Sequence, residues 1–129
     1  MLGVSTYPQE YIDGCRAAVQ AQLAAYEQVR GTDAFEPLFF NHMVLALDHY
    51  FCHRLRGREG KDGNPLNEVR VLCTSIMEGG GRLVADKTIK LKAETSLLHH
   101  EVGDEIRLGA DDFRLLADGF LAEIEARYT

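Results

Sequence analysis

A chain of 129 residues with 46% apolar and 26% charged side chains has the composition of one ordinary globular domain. Its net charge of −6 repels nucleic acid and anionic membrane at long range, so neither is an expected partner. No run approaches the ~18 apolar residues of a membrane span.

The charge is unevenly spread, with balances of −4 over residues 1–53, +4 over 54–92 and −6 over 93–129. Cys15, Cys52 and Cys73 are odd in number, far apart and without a CxxC pair. That usage fits reduced thiols in a cytoplasmic protein rather than a disulfide framework. Residues 1–14 carry no basic region followed by an apolar stretch, so a signal peptide is not expected.

In chain order, a first helix is predicted from about Tyr7 to Arg30, with Thr6 as cap and Pro8 in the first turn. Ile12, Cys15, Val19, Leu23, Tyr26 and Val29 make its apolar stripe. A second helix is predicted from Ala34 to Leu55, with Asp33 and Glu36 as a capping box. It is apolar nearly all round, and such a helix is central in its bundle or covered by a partner subunit.

Residues 54–65, RLRGREGKDGNP, read as a loop. Asn64 and Pro65 then supply the N-cap and first residue of a third helix, buried along Leu66, Val69, Cys73, Ile76 and Met77 and stopped by Gly79-Gly80-Gly81. Residues 87–92 alternate polar and apolar, and 103–108 form a second short extended run; the pair predicts a two-stranded β ribbon packed on helices. The last helix spans Ala110 to Tyr128, with Phe113, Leu116, Phe120 and Ile124 on its buried face and Asp111 and Asp112 at the positive end of its dipole.

The expected fold is therefore mainly α, at the margin of α+β. It is a single four-helix bundle-like domain over residues 1–129, with a short two-stranded ribbon before the last helix.

Three segments, Gly60–Arg70 (GKDGNPLNEVR), Ala85–Lys90 (ADKTIK) and Val102–Leu108 (VGDEIRL), resemble a family of small uncharacterised actinobacterial proteins. The resemblance covers roughly residues 35–128 and rests on pattern, not on a catalytic motif. It implies a bacterial cytosolic protein of unassigned activity and supplies no functional residues.

Two constellations could carry chemistry. His42, His49 and His53 fall on one stripe of the second helix. His49 and His53, one turn and about 6 Å apart, can chelate one ion together. His99 and His100, in a predicted loop that could fold over that helix, would complete a zinc or iron site. The bland alternative is a set of half-buried histidines bonded to backbone or facing a partner subunit. Arg54, Arg56, Arg58 and Lys61 form the second constellation: they follow one helix C-terminus and precede the next N-terminus, where a small anionic ligand can sit. The alternative there is a solvated, dipole-matched turn.

A phosphate-binding GxxxxGK[ST] cradle, a GxGxxG turn and a GxSxG elbow are all absent. The sequence leaves open whether the chain is an enzyme. It favours a non-enzymatic cytoplasmic binding or assembly protein acting as a homodimer, with a metal-binding protein or metal-dependent enzyme as the alternative.

Overall fold

The computed structural model describes residues 3–129. Four helices form where apolar periodicity places them: α1 (Gln9–Val29), α2 (Phe35–Tyr50), α3 (Pro65–Glu78) and α4 (Ala110–Tyr128). Ile12, Cys15, Val19, Leu23 and Tyr26 of α1 are buried at three- and four-residue spacing. Pro8 is the N-cap and no side chain caps this helix, so Thr6 does not play that part, and Val29 is 77% exposed.

α2 is shorter than its periodicity predicts. Thr32 Oγ1, not Asp33, accepts the Phe35 N–H at 3.2 Å. Glu36 forms no capping box; it reaches across the fold to accept the Ala110 N–H at 2.9 Å, at the start of α4. At the other end, tight turns carry the Phe51 N–H to Asp48 O and the Cys52 N–H to His49 O. The chain then runs extended beside the N-terminal segment, with Val4 N–H on His53 O (2.7 Å) and Leu55 N–H on Val4 O (2.8 Å). A backbone partner distant in sequence thus takes residues 53–55 out of the helix.

The central helix is α4, not α2. α4 packs against all three others and buries Phe113, Leu116, Phe120, Leu121, Ile124 and Tyr128, whereas α2 buries only Phe40, Val44 and Leu47. Large rings span the gap between α1 and α2: Tyr26 meets Phe40 edge-on at 4.9 Å, and Tyr11 meets Phe51 edge-on at 5.4 Å. Phe51 is fully buried within its own chain.

α3 begins as its sequence predicts, with Asn64 Oδ1 accepting the N–H groups of Leu66 (3.0 Å) and Asn67 (3.3 Å), and Pro65 in first place. Its burial is broader than one stripe. Asn67, Glu68, Val71 and Ser75 are buried beside Leu66, Val69 and Leu72, while Met77 is 71% exposed. Gly79 ends α3 where a Cβ would lie 2.8 Å from Val84 Cγ1 and 2.9 Å from two carbonyl oxygens.

The expected ribbon between 87–92 and 103–108 does not form among the described residues. Each segment pairs elsewhere: Lys90 bridges to Asp62 and Glu105 bridges to Arg82. Asn41 of α2 fixes the second segment, donating to Ile106 O at 2.7 Å and accepting from the Leu108 N–H at 3.0 Å. Ile89, Ile106 and Leu108 enter the helical core individually. Alternation along these segments therefore reports helix-facing and solvent-facing positions, not a hydrogen-bonded pair.

Candidate functional site

The glycine-rich segment before α3 reads as a loop in sequence and is tied down by buried side chains in the fold. Its anchor is Glu59, fully buried. The Glu59 carboxylate accepts from Arg54 Nε at 2.5 Å, from Arg70 Nε at 2.6 Å and Nη2 at 3.0 Å, and from the Tyr128 hydroxyl at 3.2 Å. Burial alone would raise its pKa; hydrogen bonds and charge from Arg70 and Arg54 outweigh that and hold the carboxyl below its usual range. Burial beside Glu59 pushes the Tyr128 hydroxyl up to about 12.

Arg54 is buried too. It donates to Phe51 O at 3.1 Å and lies over the Phe120 ring at 5.3 Å. Asp48 Oδ1 is 2.9 Å from Arg54 Nη1 but lacks the alignment of a hydrogen bond, so that contact acts through charge.

Backbone groups extend the anchor. Asn64 Nδ2 donates to Glu59 O at 2.6 Å, and Asn67 Nδ2 donates to Asp62 O at 2.8 Å. These bonds satisfy loop carbonyls that would otherwise be buried unpaired.

This rigid loop forms one wall of an open cavity of about 780 Å³. Residues 90–97 and the C-terminal end of α4 supply the others. Gly63 lets the walls close up, since a Cβ there would lie 3.1 Å from Leu91 Cδ1. Gly119 does the same on α4, where a Cβ would lie 2.5 Å from Leu97 Cδ1.

Lys61, Lys90, Lys92 and Arg127 face this space together with Asp62, Glu68 and Glu123. The carboxylates are committed to the protein. Glu68 accepts the N–H groups of Leu97 (2.8 Å) and Leu98 (3.0 Å), Asp62 accepts from Asn64 Nδ2 (2.9 Å), and Glu123 pairs with Arg127 (2.6 Å). Among the described residues none of the three lysines pairs with a carboxylate. Four cations against three carboxylates leave the cavity a small positive balance in a chain that is acidic overall.

The fold uses the arginine cluster largely within the protein, with Arg54 and Arg56 both beside the Glu59 carboxylate. Arg54 is buried against Glu59, Arg56 donates to Gly60 O (3.0 Å), and Arg58 donates to Arg127 O (3.3 Å). Of the four cations singled out by sequence, Lys61 alone lines the cavity. Lys90, Lys92 and Thr95 were missed, although the alternation of Lys90-Leu91-Lys92 already places both ammonium groups on one side.

The histidines are not gathered as their spacing suggests. α2 ends at Tyr50, so His53 lies in the turn that follows the helix and not on the helix with His49. His42, His49 and His53 are exposed. The loop carrying His99 and His100 is tied to α3 through Glu68, not laid over α2. Among the described residues no three His, Cys, Asp or Glu side chains come together in a way that could hold a metal ion.

Cys52, expected inside the helix, is exposed after its end. Burial pushes the thiol of Cys15 up to about 11 and that of Cys73 to about 12.

No helix among the described residues is long and apolar enough to cross a membrane. Compared with protein-family models, curated proteins and solved structures, the chain matches none.

Proposed function

We propose that this chain is a non-enzymatic binding protein of the cytoplasm that holds a small polyanion, phosphorylated or polycarboxylated, in the cavity at the start of α3. The observation that carries the proposal is the set of three lysines, Lys61, Lys90 and Lys92, facing one rigid-walled space with no carboxylate partner. Thr95 also lines the space, with its hydroxyl donating to Lys92 O at 3.4 Å. No aromatic ring among the described residues lines the cavity.

The test is calorimetric titration with inorganic pyrophosphate and with citrate at low salt. An ammonium–phosphate contact at about 4 Å contributes about 1 kcal/mol in a water-like setting. Each of Lys61→Ala, Lys90→Ala and Lys92→Ala should therefore weaken binding about five- to tenfold. Unchanged affinity in the folded triple variant, or no heat with the native chain at millimolar ligand, overturns the proposal.

Self-association is a second proposal, supported by a separate face. Phe35 (45% exposed), Leu38 (70% exposed), His42 and His49, with the half-buried Leu45 between them, form a stripe on α2 that faces outward in the single chain. The stripe carries no Asp, Glu, Lys or Arg, so a second copy can meet it across a two-fold axis without opposing like charges.

A further inference from the structure

Lys61 lines a second, smaller open cavity as well as the first, and this one is about 250 Å³. Arg56, Gly57, Gly60 and Thr88 complete its lining, which holds two cations and no carboxylate. Two acids lie nearby, and both are committed. Asp86 accepts the N–H groups of Thr88 and Ile89, each at 2.8 Å, and the Thr88 hydroxyl at 3.0 Å. Glu59 is 3.7 Å from Arg56 Nη1, but it is fully buried and already holds Arg54 and Arg70. The Arg56 side chain is 40% exposed, and its Nη1 donates to Gly60 O at 3.0 Å. Among the described residues nothing engages its other nitrogens, so the rest of the guanidinium fork is free for an anion's oxygens. Gly60 makes the turn with a left-handed backbone at φ 69, which glycine adopts without strain.

The backbone sets four cations in a row. Arg56 is tied to residue 60, and Lys61 follows it. The Lys90 N–H donates to Lys61 O at 2.7 Å, and Lys92 lies two residues further on, in extended conformation. Two residues of extended chain span about 6–7 Å, so the charges are spaced along a line rather than gathered at a point. We propose that the bound polyanion is a linear oligophosphate longer than pyrophosphate, its chain running from Lys90 and Lys92 past Lys61 to Arg56. The inference rests on the polyanion reading above and names the class of its ligand. A phosphate chain carries charge on every unit and so matches a row of cations. At its far end the planar Arg56 fork can take two oxygens of one phosphate.

The probes are tripolyphosphate and pyrophosphate, each titrated into the full chain by calorimetry and followed by NMR at the backbone amides of Gly57 and Gly60. The native chain should bind tripolyphosphate about fivefold more tightly, the worth of one added charge contact. Arg56→Gln should abolish that preference and leave pyrophosphate affinity nearly unchanged. Arg114→Gln removes the same charge from a side chain 47% exposed on α4, outside both cavities, and should keep the preference. The two glycine signals should shift further with tripolyphosphate than with pyrophosphate, a readout on the native chain that does not depend on the folding of a variant. Three results overturn the inference and leave the polyanion cavity standing: equal affinity for the two phosphates, a preference that survives in the folded Arg56→Gln chain, or glycine signals that both phosphates move equally. No heat with either phosphate overturns the polyanion reading itself, and the inference with it.

Discussion

Replacing Glu59 by Gln removes one charge and leaves the shape of the side chain nearly intact. In the native fold the carboxylate is fully buried and receives four donor contacts from Arg54, Arg70 and Tyr128. The two arginines are not equivalent. The Arg70 side chain is 30% exposed and can recover water, whereas the Arg54 side chain is 1% exposed and cannot. Glu59→Gln therefore strands the Arg54 guanidinium, leaving it the Asp48 contact and one carbonyl, and turns a Gln amide N–H toward a donor. Removing one partner from a buried ion pair costs about 3–5 kcal/mol. That is a large share of the 5–15 kcal/mol by which domains are stable. Guanidinium unfolding followed by circular dichroism should show the unfolding free energy fall by that amount, as a lower midpoint at an unchanged slope. The paired replacement Arg54→Met/Glu59→Leu should cost less than either single change, because the charges that lose a partner, Arg70 and Asp48, are partly exposed and can recover water. A loss below about 1 kcal/mol for Glu59→Gln would refute the argument, since it would mean that water reaches Arg54.

Acid should destabilise the protein through the same residue. The pKa of Glu59 is lowered from 4.5 in the fold, so its contribution is complete above about pH 4.5 and is lost as pH falls through the folded value; Glu59→Gln should flatten this part of a stability-against-pH curve. Alkali acts with the opposite sign on Tyr128 and Tyr7, each raised from 10.0 to about 12 by burial. Their contribution is complete below pH 10 and fades as pH rises toward 12, and Tyr128→Phe should reduce that dependence in alkaline melts. Asn64→Ala removes the α3 cap and the tether to Glu59 O, and should cost at least the ~1 kcal/mol of a lost cap by chemical denaturation. Leu38→Asp should leave the melting temperature within a few degrees and shift light-scattering mass from dimer to monomer; a wild-type chain already monomeric at high concentration would overturn the second-copy proposal.

The sequence by itself determined the helices with a single clear stripe and a local start signal. The α1 stripe from Ile12 to Tyr26 is buried as its spacing predicts, Asn64 caps α3, and α4 runs from Ala110 to Tyr128. These features depend on side chains three or four residues apart, so the information is local. Lys61 was legible as a cation beside a helix start for the same reason.

Only the tertiary structure decided the rest. α2 stops at Tyr50 because residues 53–55 find a backbone partner in Val4, which leaves His53 beyond the helix that carries His42 and His49. Segments 87–92 and 103–108 pair with Asp62 and Arg82 and not with each other, since Asn41 and the helical core hold them apart from a shared ladder. Glu59 reads as one more acid in a mixed-charge loop until Arg54, Arg70 and Tyr128 close around it. Lys61 and Lys90 are 29 residues apart in the chain and share a cavity through the Asp62–Lys90 bridge. Each of these outcomes is a choice among competing long-range partners, and a hydrophobic period carries no record of which partner wins.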